Sequence, residues 1–363
     1  MPRQRAPQDP KQARPRAPRR PYMLREISES PERVASLIAR ETEPLEKALA
    51  PFRDSLPPLI FVAGRGTSDN AATFGRYLFE HFLGIPVSGA ALSLFTLYPA
   101  PIHLRGALAI GISQSGESPD VVKTLRTARR MGAYTIAVTN AAASSLSGVA
   151  HHTIRLHARK ERSVAATKTY TATLVAMAMI CRALGGDLTE RAIEELPAAI
   201  RTAIACEETI AQVARYYRYA PRFLCLSRGF NYATVREIAL KLMETCYVGS
   251  AGMSAADFLH GPIAFVEEDT PVMTFVPRGP TYRFMLGLTK RLAAQGVDVL
   301  AFTNAGDILK YCALGVDCPL DTPECLTPIP FAALGQLFAG HLALIKGLNP
   351  DAPRRLTKVT RTL

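Results

Sequence analysis

The stretch LAIGISQSGESPDVVKTLRTARRMG, residues 108–132, decides how the chain is read. Its first five residues, Leu108 to Ile112, are an apolar run too short for a helix, which predicts a buried strand. Ser113, Gln114, Ser115, Gly116, Glu117 and Ser118 then put three hydroxyls and a glycine into six positions. From Val121 the apolar residues recur at helical spacing as Val121, Leu125 and Ala128, and Ser118-Pro119 has the chemistry of an N-cap and first helical position. A strand, a hydroxyl-rich turn and a capped helix gather hydroxyls and unpartnered backbone N–H groups at the positive end of a helix, a geometry that suits a phosphate. By itself the stretch is equally an ordinary strand–turn–helix connection with a serine cap.

Outward from this stretch, strands and helices alternate. LREISESPERVASLIARETEPLEKAL, after Met23, reads as one or two amphipathic helices. Leu59–Ala63 is a strand, followed by Gly64-Arg65-Gly66-Thr67-Ser68 and a helix with its apolar stripe on Ala71, Phe74, Leu78 and Phe82. Tyr134–Val138 is a further strand, and a helical pattern runs from Val164 to Leu184. Such alternation predicts an α/β fold with parallel sheets covered on both faces.

The second half repeats the first. Phe223–Leu226 leads into Ser227-Arg228-Gly229-Phe230-Asn231 as Leu59–Ala63 leads into Gly64 to Ser68, and GAYTIAVTN (132–140) matches GVDVLAFTN (296–304). The offsets are 163 (64 to 227) and 164 (132 to 296), so the chain is two tandem copies of one unit. At this offset Ser113 and Ser115 fall on Pro277 and Gly279. One copy keeps the hydroxyls, and the other is free for another task. That asymmetry favours the phosphate reading. The division expected is a tail over 1–22, a first subdomain over 23–195 and a second over 196–363.

Composition narrows the function classes. No apolar run approaches the ~18–20 residues that span a bilayer, and no signal-peptide pattern opens the chain, so a cytoplasmic protein without a membrane partner is expected. Cys181, Cys206, Cys225, Cys246, Cys312, Cys318 and Cys325 lack CxxC spacing and read as reduced thiols. His151, His152 and His157 cluster without acidic or cysteine co-ligands, so no metal site is expected. Of the net charge of +12, half lies in residues 1–22, with seven Lys/Arg, one acid and six prolines. The tail reads as a disordered extension, or as an over-long start with Met23 the initiator. No helix-turn-helix or aromatic-interleaved basic patch follows, so no nucleic-acid partner is expected.

In the second half, Glu237, Lys241 and Glu244 are spaced to share one face of a helix from about Asn231 to Tyr247. They form either a solvated stripe or, on this largely apolar helix, a buried acid–base group. His260, just before Gly261-Pro262, sits at an element end, where its ring would project, and a lone histidine of this kind is more often structural than functional. Lys358 lies in the polar tail PRRLTKVT (353–360), where solvation is the default.

Taken together, GRGTS, SQSGES, SVAATK (163–168), ALKLME (239–244), LHGP and PRRLTKVT resemble the double sugar-isomerase (SIS) domain family, best known from the isomerase half of glutamine–fructose-6-phosphate amidotransferase. The resemblance runs over nearly the whole chain from Met23. It implies two flavodoxin-like subdomains, a homodimer, a sugar phosphate between the subdomains and no cofactor. It implies further that Ser113, Gln114, Ser115 and Ser118 hold the phosphate beside Gly66, Thr67 and Ser68, and that Val164 and Thr167 line the sugar site. Glu244 would move the proton between C1 and C2, with Lys241 biasing its charge. His260, supplied by the partner subunit, would assist ring opening, and Lys358 would close the tail over the site and could form an imine. The chain departs from the family at Arg65 (usually cysteine), Leu259 (usually charged) and Ala166 (usually serine), and Val-Thr-Arg after Lys358 is closer to stand-alone deaminase-like members.

The expected function is deamination and isomerisation of an amino sugar phosphate, glucosamine 6-phosphate to fructose 6-phosphate plus ammonia, because residues 1–363 contain no glutaminase segment to supply ammonia. The alternatives are aldose–ketose isomerisation of a plain sugar phosphate, amino sugar synthesis with ammonia or with a separate glutaminase subunit, and a non-catalytic sugar-phosphate sensor.

Overall fold

The computed structural model describes residues 20–98, 100–267 and 270–358, so most of the basic extension and residues 359–363 lie outside the described residues. Among the described residues, ten short strands make two five-stranded parallel sheets. In the first, β1 (Ile60–Ala63), β2 (Val87–Gly89), β3 (Leu108–Ile112), β4 (Tyr134–Thr139) and β5 (His152–Arg155) lie in the order β2-β1-β3-β4-β5. The second, β6 (Arg222–Ser227), β7 (Gly249–Ser254), β8 (Val272–Val276), β9 (Val299–Thr303) and β10 (Leu314–Asp317), repeats it as β7-β6-β8-β9-β10. The two sheets fall on either side of residue 195.

The apolar run predicted as a strand is β3, buried at all five positions and paired with β1 (Ile60 opposite Leu108) and β4 (Leu108 opposite Tyr134). A strand buried on both faces has no polar alternation, which is why it reads as a continuous apolar run. In each sheet the order reverses beside β1 or its equivalent β6. Loops leaving neighbouring strands there diverge to opposite faces and open a crevice at the strands' carboxyl ends. Residues 113–118 leave β3 at such a point.

The two halves join through equivalent helices. The helix Thr67–Leu83 that follows β1 packs on the helix Tyr232–Lys241 that follows β6. Arg236 of the second donates to Thr73 Oγ1 (2.6 Å) and Asp69 Oδ2 (3.0 Å) of the first. Beside them lie the almost wholly buried helices Lys168–Ala183 and Pro328–Ile345. The latter corrects the expectation about apolar runs: its 18 residues have the length and composition of a membrane span, yet most of that length is buried as a core helix of this fold.

Two helix boundaries also differ from the periodicity. The pattern from Val164 becomes helical only at Lys168, because the Glu161 carboxylate takes the backbone N–H groups of Thr167 and Thr169 and leaves 163–167 as a loop. The helix carrying Glu237 turns α to π after Lys241. Its π segment, Leu242–Cys246, ends at Tyr247, a non-glycine residue at φ +56°.

The C-terminal segment runs back across the first half. Asp351 accepts from the backbone N–H groups of Tyr22 (2.8 Å) and Met23 (2.7 Å), and its carbonyl accepts from Val164 N–H. Arg354 N–H donates to the Tyr247 hydroxyl at 2.8 Å, with its guanidinium 4.1 Å from that ring's centre.

Candidate active site

At the first switch point lies a cleft of about 320 Å³, of small-molecule size. A cavity of about 340 Å³ beside Ile38, Met179 and Glu190 is distant from both switch points and gathers none of the hydroxyls singled out in the sequence.

One wall of the cleft is the turn after β3. Ser113 Oγ and Ser118 Oγ share a hydrogen bond of 3.0 Å, and Gly116 N–H donates to Ser113 Oγ at 3.2 Å. Gly116 has φ +68°, and a Cβ there would lie 2.2 Å from Ser144 Oγ, so the turn requires glycine on both counts. Ser118 takes the N-cap position of the helix Pro119–Arg130, but its hydroxyl faces Ser113 instead of capping. Gln114 and Ser115 complete this wall, and Gly66, Thr67 and Ser68 supply the neighbouring one. Arg65 joins the rim, its Nε donating to Asp120 Oδ2 at 2.7 Å.

Glu244, carried by the π segment, lines the same cleft. Behind it runs a charged chain through the interior. Asn70 Nδ2 donates to Glu237 Oε2 (2.8 Å), Thr67 Oγ1 donates to Glu237 Oε1 (3.1 Å), Lys241 Nζ lies 3.3 Å from Glu237 Oε1 and donates to Glu244 Oε2 at 2.5 Å. The side chains of Glu237 and Lys241 are fully buried, whereas that of Glu244 is 22% exposed toward the cleft. Burial alone would push the Lys241 amine down, but the flanking carboxylates of Glu237 and Glu244 outweigh it and hold the ammonium well above its usual range. Burial raises the Glu237 carboxyl, with Lys241 and the Asn70 and Thr67 hydrogen bonds working against it. The Glu–Lys–Glu spacing is therefore a buried charged cluster where the halves meet, not a solvated stripe.

Lys358 reaches the same cleft from the C-terminal segment. Its Nζ donates to Glu161 Oε2 and to the Ser163 carbonyl, each at 2.7 Å. Glu161 was not singled out in the sequence, where HARKER (157–162) has the look of a solvated polar run. Its side chain is completely buried, and although burial alone would raise its carboxyl, Lys358 and hydrogen bonds from Thr167 and Thr169 hold it below the usual carboxylate range.

Val164 lines the cleft. Thr167 corrects its expected place: it is wholly buried behind the wall, its hydroxyl donating to Glu161 Oε1 at 3.2 Å. His260 is exposed at the end of the helix Ala255–Leu259 and is not among the residues around the cleft of its own chain. Two of the clustered histidines have other partners, His157 pairing with Glu41 and His151 Nδ1 accepting the Thr135 N–H at 3.0 Å, while His152 Nε2 is buried without a hydrogen-bond partner.

At the equivalent point of the second sheet, a carboxylate of the chain meets the start of the helix. Thr281 N–H and Oγ1 donate to the Glu324 carboxylate at 3.1 and 2.8 Å, at the start of the helix Tyr282–Ala294. A Cβ on Gly279 would lie 2.2 Å from Glu324 Oε2, so that turn too requires glycine.

The SIS domain pattern matches residues 58–183 and 216–346, one copy over each sheet. The chain belongs to the SIS domain family. It is 32% identical over 346 residues to a glutamine–fructose-6-phosphate aminotransferase (isomerizing) of Pyrococcus horikoshii, covering 93% of this chain and 57% of that relative. The chain thus spans little more than half the length of the curated relatives it matches. Among solved structures, a candidate phosphosugar isomerase from Silicibacter pomeroyi superposes with a TM-score of 0.82 at 33% identity, covering 91% of this chain and all of that one. The C-terminal domain of glucosamine-fructose-6-phosphate aminotransferase from Francisella tularensis gives the same TM-score at 26% identity, covering 93% of this chain and 99% of that domain. This SIS protein is therefore akin to phosphosugar isomerases and to the isomerase half of the aminotransferase.

Proposed function

We propose that the protein is a cytoplasmic enzyme that converts an amino sugar phosphate to the ketose phosphate and ammonia, with glucosamine 6-phosphate the first substrate to test. The observation that carries this reading is the meeting, in one cleft, of the 113–118 hydroxyls, the Glu244 carboxylate and the Lys358 amine. The hydroxyls and the N-terminus of the helix Pro119–Arg130 are the anion donors for the phosphate. Gly66, Thr67, Ser68 and Val164 flank the sugar. Glu244 removes the proton from C2 of the open-chain aldose and returns it to C1 while a second proton passes from the amine nitrogen to the C1 oxygen, which turns the C2 amine into a ketimine and the aldehyde into a hydroxymethyl group. Water adds to C2, the carbon–nitrogen bond breaks and ammonia leaves. Transfer of the ketimine to Lys358 releases ammonia by the same balance, and water then frees the ketose. Lys241, between two carboxylates, fixes Glu244. His260 belongs to the site of a second copy in a homodimer and assists ring opening there.

A second reading is favoured by the relatives' names: the same proton transfer serves amino sugar synthesis when ammonia is delivered, or plain aldose–ketose isomerisation when the substrate carries no amine. Incubation with glucosamine 6-phosphate, followed by assay of ammonia and fructose 6-phosphate, decides between them. Both products support deamination, whereas turnover of plain sugar phosphates alone supports isomerisation. Binding without turnover supports a sensor. Glu244→Gln should lower kcat by about 10²–10⁴-fold with substrate binding retained; full activity in that variant removes Glu244 from its assigned role.

A further inference from the structure

We propose that Glu161 is the positioning residue for the tail lysine: it anchors Lys358 in the cleft and thereby holds the C-terminal segment closed over the site. This rests on the role proposed above for Lys358.

The carboxylate divides its two oxygens between frame and cargo. Oε1 accepts the backbone N–H groups of Thr167 (2.9 Å) and Thr169 (3.2 Å) and the Thr167 hydroxyl, which fixes it at the start of the helix Lys168–Ala183. Oε2 accepts the Thr169 hydroxyl (2.8 Å) and Lys358 Nζ (2.7 Å). Because Oε1 is held by groups of a rigid, buried helix, Oε2 has a fixed place, and so has any ammonium bonded to it. The Ser163 carbonyl takes a second N–H of Lys358 at 2.7 Å, which leaves the third for the cleft that the residue lines.

Burial makes the pairing obligatory in one direction. The Glu161 side chain is fully buried and that of Lys358 27% exposed. A buried carboxylate that loses its cation keeps its desolvation cost, so opening of the tail is opposed as long as Glu161 is charged. The helix takes Oε1 and, through the Thr169 hydroxyl, one side of Oε2. The bond from Oε2 to Lys358 is what a capping role leaves unexplained.

The test compares Glu161→Gln, Lys358→Met and the double variant in the full chain by hydrogen exchange of the tail segment 349–358 and by steady-state kinetics. Gln retains an acceptor oxygen for the helix N–H groups but loses the charge. Both single variants should exchange at least about tenfold faster over 349–358, with the double no faster than the faster single. Glu161→Gln should lower kcat on the order of 100-fold, the scale of a small misplacement of a reacting group, while KM changes little. In the Lys358→Met background it should have no further effect on kcat. Independent, multiplying effects of the two substitutions overturn the proposal, as does unchanged tail exchange in Lys358→Met, which is informative even if Glu161→Gln does not fold. Absence of turnover in the unaltered protein refutes the enzymatic reading, while the exchange comparison still decides the contact. Normal kcat in Glu161→Gln beside an active parent refutes the positioning role alone.

Discussion

Replacing Lys241 with methionine tests the buried charged cluster between the halves. The substitution keeps most of the side-chain volume but deletes a fully buried ammonium lying 3.3 Å from Glu237 Oε1 and 2.5 Å from Glu244 Oε2. Glu244 opens to the cleft and can be rehydrated, but Glu237 cannot. It keeps the Asn70 and Thr67 hydrogen bonds and loses its only nearby cation in this chain of contacts. Removing one partner of a buried pair costs about 3–5 kcal/mol, because the other is left uncompensated. A loss of that size is a large part of the roughly 5–15 kcal/mol that keeps an ordinary domain folded.

Urea unfolding of the variant against its parent measures the loss, and adding Glu237→Gln should restore roughly half of it or more, since the neutral amide no longer needs a cation. The sign with pH is fixed as well. Burial raises the Glu237 carboxyl. A group raised in the folded state contributes stability below its unfolded pKa and loses it as pH rises through the folded value. The variant should therefore be closest to its parent in mild acid and furthest from it near neutrality. A loss under about 1 kcal/mol, or a double variant weaker than Lys241→Met by the full cost of Glu237→Gln, would refute the reasoning.

Other expectations follow from the cleft and from the first sheet. Ser113→Ala and Ser118→Ala should each raise KM for a sugar phosphate about tenfold, the loss of one charge-assisted hydrogen bond, and weaken inhibition by inorganic phosphate in parallel. Although His151 is exposed, partial desolvation of its ring, helped by Arg129, pushes the imidazole below its usual range, and its Nδ1 accepts the Thr135 N–H. A depressed pKa gives stability above the unfolded value that is lost as pH falls, so unfolding midpoints should drop between pH 7 and 5, and His151→Gln should flatten that slope.

Much of this architecture was legible because the informative residues are local in sequence. Leu108–Ile112 is apolar because it is covered on both faces, and the 163- and 164-residue offsets follow from two sheets with one strand order. The hydroxyl turn and Glu244 were found through short motifs and do meet in space. What escaped depends on long-range pairing. Glu161 lies in a run of charges, and only the return of the tail 197 residues later turns it into a buried partner. Thr167 carries a hydroxyl in the expected motif, but Glu161 draws it behind the wall. The π segment is equally invisible to a 3.6-residue period, which places Glu244 on nearly the same face either way.

The Glu324 carboxylate at the second switch point sets the two lobes apart. Duplication gave the molecule two crevices of the same design, each with a helix N-terminus able to receive an anion. In the second, the Glu324 carboxylate accepts from Thr281 at the helix start. The two like lobes thus differ at their switch points: the first lines an open cleft with its turn hydroxyls, whereas the second turns its helix start to a carboxylate of the chain itself.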